Sequence, residues 1–585
     1  GTAITTGDES VAVGYNALSS MNTGGNNIAI GKDAMAAVTI ANTNIAIGTD
    51  AMTTNVAADR NVAVGEQALQ NMTAASTADT YNTAVGYNAG LAVNSGVQNT
   101  LIGGKAGDGM TTGGNNTAVG FESLSAVCTG SYNTAVGRIA MRDMTSGTEN
   151  TGLGNAALLV NTTGNYNTSV GSDSLKANVS GHYNTAVGFE ALQANTASYN
   201  TAIGYQAALA LTSATGVTAV GYKAGGNAIM TGGDNTLIGR GAGYNLTGGD
   251  SNTIIGKDAG VGTTAGTNMT IIGYKAGNAV ITDAAAGTVA VGYEALNDLT
   301  TGARNTALGY RVLDVLPDGS DNTGVGYNAL GAANSSDADH NTAIGVNAGD
   351  VITDGYQNTI IGSGADPGSA GGIRQIVIGY AVTGQGNNTA VIGDDNMTAL
   401  YASSDAGATI HGGKLALGMA KTDPTAALQI IDASDTWAIR TQGNNNGGSV
   451  YQIEFRNSAG TQRGHIISSE ASNSTAYTSG SDYRLKENVT ILNDALIRLL
   501  KLKPKRFNWI GDETEAVYDG FIAHEVQSIV PEAITGEKDG LDSEGEPRYQ
   551  GIDYGKIVPL LVASVQELST ANAELKSRIE ALENA

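Results

Sequence analysis

NTAVGYNAG (residues 82–90) decides the fold. It returns along the chain as NIAIGKDAM (27–35), NVAVGEQAL (61–69), NTAVGFESL (116–124), NTAVGFEAL (184–192) and NTALGYRVL (305–313). Aligned on the central glycine, 23 units run from Gly14 to Gly393. Of the 22 intervals, 16 are 17 residues long and the rest span 14 to 21. Self-similarity at a short fixed period marks a stacked repeat architecture. Seventeen residues are too few for a helical hairpin but suit one coil of a β-solenoid, with two short strands and two turns. NTAVG reads as the first strand, with Thr83 and Val85 on one face and Ala84 on the other. The following YNAL-type segment reads as a second short strand. Gly- and Asn-rich stretches such as MTTGGNN (110–116) supply turns, because both residues tolerate left-handed backbone angles. The expected shaft spans residues 1–393. At about 4.8 Å per coil it would be on the order of 110 Å long, each coil stabilised by its neighbours.

Two columns follow from stacking. Asn stands four residues before the glycine in 17 of the 23 units. Stacked amides hydrogen-bond from rung to rung, so a structural column is preferred to a ligand surface. Tyrosines directly follow the glycine at Tyr15, Tyr87, Tyr205, Tyr222, Tyr274, Tyr293, Tyr310 and Tyr327. Packing is the simpler reading of these, and a sugar-binding strip the alternative.

Composition narrows the class. The 585 residues include 82 Gly, 5% aromatic and 14% charged residues, with 41% hydrophobic. That is too little aromatic bulk and charge for a large globular enzyme and too much apolar content for a disordered chain. A net charge of −24 argues against nucleic acid as a partner. Cys128 is the only cysteine, which rules out an intrachain disulfide and suggests a small buried hydrophobe. No stretch is long and apolar enough for membrane insertion. The opening GTAITTGDES has neither an initiator Met nor a signal-peptide pattern, so a preceding segment is expected. No cofactor and no metal are expected.

Regularity fades after Gly393. Residues 394–480 form an expected β-structured neck, with strands at VYQIEFRNSAG (450–460) and RGHIISSEAS (463–472) and intertwining of sister chains as a hypothesis. Trp437 and His465 default to packing roles. From residue 481 the pattern changes. NDALIRLLKL (493–502) has helical spacing, with Leu496, Leu499 and Leu500 on one face and Pro504 as a stop. KRFNWI (505–510) and DGFIA (519–523) read as strands. The chain closes, over about 557–585, with a heptad pattern. Leu561, Leu568, Leu575 and Leu582 occupy d, and Val565, Asn572 and Ile579 occupy a. These seven are the expected trimerisation residues, with Asn572 setting register.

The core of NVAVG (61–65) resembles the head repeats of trimeric autotransporter adhesins, which implies a trimerising parallel β-roll. The spacing here is longer, and Thr often replaces the first apolar residue. The last 105 residues resemble the peptidase S74 family, the intramolecular chaperone of phage tailspikes and tail fibres. The matching stretches are SDYRLKENV (481–489), LKPKRFNW (502–509), GFIAHEVQSIVPE (520–532), YGKIVPLLVASVQEL (554–568) and the terminal heptads. The resemblance implies trimerisation-assisted folding, then autocleavage between Gly480 and Ser481. Ser481 is the implied nucleophile and Lys486 the family-matched general base; Asp482, His524 and Glu525 are supporting candidates. His524 stands where the family often has Gln. A serine hydroxyl needs a base, and a lysine serves if burial lowers its pKa. Residues five apart diverge on a helix and face opposite ways on a strand. Contact therefore requires a bend between them or a lysine from a neighbouring chain. Ser481 is also a good helix N-cap with Asp482 behind it.

The expected protein is a homotrimeric phage tail fibre. It would be assembled in the host cytoplasm and carried on the virion. Its partners would be tail or baseplate proteins and a host surface receptor, a glycan among the candidates. Its only expected enzymology is single-turnover Ser–Lys autoproteolysis. A bacterial trimeric surface adhesin, a polysaccharide-degrading tailspike and, from the regular threonines, an ice-binding solenoid are the alternatives.

Overall fold

The computed structural model of the chain describes residues 9–73, 78–226, 228–394, 396–397, 449–456, 462–469, 474–479, 483–510, 516–541 and 547–584. It divides into two units, Gly1–Ile410 and His411–Ala585.

The first unit is a β-solenoid. Its 23 described strands, β1 (Val11–Val13) to β23 (Ala390–Ile392), are three residues each and form one parallel sheet. Register is unbroken: Thr83 pairs with Thr100, and Thr100 with Thr117. Each strand donates forward and backward. The Thr100 N–H bonds Asn116 O at 2.8 Å, and the Gly103 N–H bonds Val85 O at 2.8 Å. As the alternation predicts, Ala84 is buried while Val85 faces out. The core is a thin file of strand alanines (Ala84, Ala118, Ala135) packed on Leu and Met from the opposite limb (Leu69, Leu124, Met141). Cys128 lies in this core, and burial pushes its thiol up to about 11.

The central glycine is a steric requirement. From Gly14 to Gly379 the aligned glycines hold φ between +130° and +145°. From Gly14 to Gly362, an added Cβ would strike the carbonyl oxygen of the glycine one coil on. No side chain other than hydrogen fits a column so close.

The expected second strand is absent from the described coils. The segment after the glycine is a ladder of turns in which left-handed residues alternate with residues of ordinary negative φ, as at Glu122 (φ 54°) and Leu124 (φ 49°) on either side of Ser123. Each reversal flips the N–H. Glu122 donates back to Gly104 O at 3.1 Å, and Leu124 donates forward to Ala140 O at 3.0 Å. Neighbouring coils thus stay hydrogen-bonded without extended backbone. A left-handed Leu costs about 1–2 kcal/mol, which burial of its side chain at the core offsets.

The asparagine column forms as expected, and it is buried. The Oδ1 of Asn116 accepts from the Asn133 backbone N–H at 2.9 Å and from its Nδ2 at 3.2 Å, while Asn133 Nδ2 also donates to Gly147 O at 2.9 Å. The unit repeats at Asn150, Asn167 and Asn184. Buried within the coils, these amides cannot serve as a ligand surface. The tyrosine column also stacks, with ring centroids 4.8 Å apart for Tyr293–Tyr310 and 5.1 Å for Tyr310–Tyr327. A second stack, Tyr166–Tyr183–Tyr199 at 5.0 and 5.2 Å, lies five residues before the glycine.

In the second unit, β24 (Ser449–Arg456), β25 (Gln462–Ser469) and β26 (Ser474–Ser479) form an antiparallel sheet in chain order. The two expected neck strands are present, joined by the third. Residues 398–448, including Trp437, lie outside the described residues. Beyond the neck come α1 (Ala495–Leu499), the pair β27 (Lys505–Phe507) and β28 (Tyr518–Gly520), and α2 (Ala523–Gln527). The pair β29 (Ile534–Thr535) and β30 (Gly551–Ile552) precedes α3 (Val558–Glu583). Ala495, Leu502, Val526, Val530, Ala533, Ile557 and Leu560 make its core. The buried face of the 493–502 segment is therefore Ala495, Leu499 and Leu502, an i, i+4, i+7 stripe. Leu500, expected on that face, is 75% exposed. The helix also ends earlier than Pro504 requires, and DGFIA divides into a strand ending at Gly520 and a helix beginning at Ala523.

Candidate functional site

Gly480, Ser481 and Asp482 lie outside the described residues. Immediately after them, Tyr483–Leu485 forms a 3-10 turn, closed by the Lys486 N–H donating to Tyr483 O at 3.1 Å. The backbone therefore bends within the five-residue interval that separates the candidate nucleophile from the candidate base. Lys486 itself is exposed.

The supporting candidates sit on α2. His524 is exposed, while Glu525 is half-buried and faces Lys505 across 3.8 Å. That separation is an ion pair without a hydrogen bond, and one Glu525 oxygen is buried and otherwise unpartnered. Nearby, Arg506 of β27 forks onto Asp519 of β28 at 2.8 and 3.0 Å. The fork holds the Arg506 guanidinium above its usual range and the Asp519 carboxyl below its own. Gly520 admits no larger residue easily, since a Cβ there would come within 2.7 Å of the Tyr554 hydroxyl.

Sequence reasoning missed the joint that ties α1 to α3. The Glu567 carboxylate of α3 accepts from the Ala495 N–H at 2.8 Å and the Leu496 N–H at 2.7 Å. It caps a helix of which it is not part, and these backbone donors hold its pKa below the usual carboxylate range. Arg498 in turn donates to Ile529 O at 2.8 Å. The signal was present only as one of four glutamates on α3, 72 residues from its partner.

The heptad residues of α3 lie on the outside. Leu561, Val565, Leu568, Leu575, Ile579 and Leu582 are each about half exposed or more, and Asn572 is exposed among them. The first turns of the same helix bury a different face, Leu560 and Ser564. One helix thus serves the domain core with one side and leaves an apolar stripe on another.

A long parallel solenoid followed by a small α+β domain, whose last helix carries that stripe, is consistent with a phage fibre or tailspike-type protein. Residues 481–535 match the family model of the peptidase S74 domain, the chaperone of endosialidase. The match begins at Ser481 and ends with β29, so α3 lies beyond it. No curated protein matches the chain.

Proposed function

We propose that the chain is the shaft (1–393), neck (394–480) and intramolecular chaperone (481–585) of a homotrimeric phage tail fibre. It is assembled in the host cytoplasm, joined to tail or baseplate proteins and directed at a host surface receptor. The observation that carries this reading is the S74 match beginning at Ser481, directly after the neck. The exposed heptads of α3 support trimerisation, since an a/d stripe is stable only when covered by partner helices. Three near-identical ladders of coils can pair in many wrong registers, and joining the C-termini first removes most of them.

Cleavage then separates the chaperone from the fibre. Ser481 Oγ attacks the Gly480 carbonyl as the Lys486 amine takes its proton. The amide bond breaks, the proton passes to the Ser481 nitrogen, and water hydrolyses the resulting ester. The turn at Tyr483–Leu485 favours contact within one chain. Wild type should run as two fragments on denaturing gels, and Ser481→Ala and Lys486→Ala as one intact chain. A wild type that stays intact under folding conditions, or a Ser481→Ala variant that is still cut, would refute the cleavage.

A further inference from the structure

From Phe189 to Tyr327 every coil carries an aromatic ring after its glycine, except two that carry Arg240 and Lys257. The break leaves a ring uncovered. Phe189, Tyr205 and Tyr222 stack at 5.4 and 5.2 Å, and the stack ends at Tyr222. The next stack starts at Tyr274, where the Lys257 ammonium lies 4.9 Å from the ring centroid. Over Tyr222 the nearest cation is Lys223 of the same coil, 5.6 Å away. Inside the two stacks the ring faces cover one another, as at Tyr205 and Tyr293, and offer a ligand only their edges.

Two further features meet at this break. Arg240 is exposed, and its guanidinium has no hydrogen bond, ion pair or ring contact among the described residues, whereas Arg304, Arg311 and Arg374 are each held by a neighbouring coil. Gly241 occupies the position that carries Asn88, Asn328 and Asn347 in other coils, at a similar left-handed φ. A Cβ on Gly241 would meet only Asp258 Oδ1, at 3.0 Å, so a missing side chain opens a notch. Tyr222, Lys223, Arg240, Gly241, Tyr244 and Asp258 line it.

We infer that this notch binds a carboxylated sugar. The face of Tyr222 that no ring covers suits the C–H face of a pyranose, with the Lys223 ammonium 5.6 Å from the ring centroid. The Arg240 fork suits a carboxylate, and Tyr244 and Asp258 offer partners for hydroxyl groups. A neutral sugar would leave Arg240 unanswered, and a plain anion would leave the ring face unused. The inference rests on the attachment reading for its purpose only; the chemistry is that of the shaft surface.

The test uses the purified full chain, titrated calorimetrically with a glucuronate-containing tetrasaccharide and with neutral maltotetraose. The acidic sugar should bind and the neutral one should not. Arg240→Ala should weaken binding about tenfold or more. Gly241→Asn, which fills the notch with a residue other coils accept there, should do the same without altering charge. Arg374→Ala should leave binding unchanged, and all variants should melt with wild type. No binding, equal binding of both sugars, or indifference to Arg240→Ala and Gly241→Asn would overturn the site. Each of those results leaves the fibre reading standing, since cleavage and trimer mass are measured separately.

Discussion

At the scale of the residue, the shaft depends on groups that no solvent can replace. Asn133 is one. Its Oδ1 accepts from the Asn150 backbone N–H and side chain, both at 3.1 Å, and its Nδ2 reaches Gly147 O. Asn133→Ala strands a buried backbone donor and weakens the hold on a buried carbonyl. Each unsatisfied group costs about 1–3 kcal/mol, so a local loss of about 2–4 kcal/mol is expected. Coils in a solenoid are coupled mainly to their neighbours, and the damage should stay close. Hydrogen exchange should accelerate at the amides of Asn150 and Thr151 and not at those of Asn322 or Asn341. Uniform acceleration along the shaft would contradict nearest-neighbour coupling.

At the scale of the element, the sequence was informative wherever a residue's role is periodic. The strands, their inward alanines and the Asn column all follow from one aligned motif, because extended backbone alternates with period two and buried amides must pair. The limb after the glycine was misread as a strand. Its alternating left-handed residues include Leu, Met, Glu and Lys as well as Asn, and side chains so varied carry no turn signature. The candidate cleavage residues were legible only through a motif, since no periodicity brings Ser481 to Lys486. The Glu567 joint was illegible for another reason: a cap supplied from 72 residues away leaves no local pattern. It has a pH consequence. A carboxylate whose folded pKa is depressed contributes stability that is present above its unfolded value of about 4.3 and is lost as pH falls through the folded value. The docking of α1 on α3 should therefore loosen in acid. Glu567→Gln should lower the chaperone's melting temperature at neutral pH and flatten its dependence below pH 5. An unchanged acid profile in the variant would show that the joint does not govern it.

At the scale of the whole molecule, the outer face of the shaft sheet bears on the proposed trimer. The residue before the glycine is Val, Ile or Leu in all 23 coils. Many of these side chains are more than a third exposed, among them Val85, Ile102, Ile203, Ile238 and Ile344. Monomeric proteins rarely expose a contiguous apolar patch beyond about 300–600 Å², and this column of half-exposed aliphatic side chains recurs coil after coil. Stacking cannot cover it, because stacking proceeds along the sheet and this face points away from the sheet. In the proposed trimer, sister shafts would cover it. A double variant, Ile203→Lys with Ile238→Lys, leaves the inward alanines and the Asn column untouched, so each coil should still form. Three chains would then bring like charges together across a desolvated contact. The expected result is a shaft that keeps its β-sheet circular dichroism but melts well below wild type and dissociates to monomer by light scattering once the chaperone is removed. A double variant that remains trimeric with unchanged melting would place the chain contacts on another face.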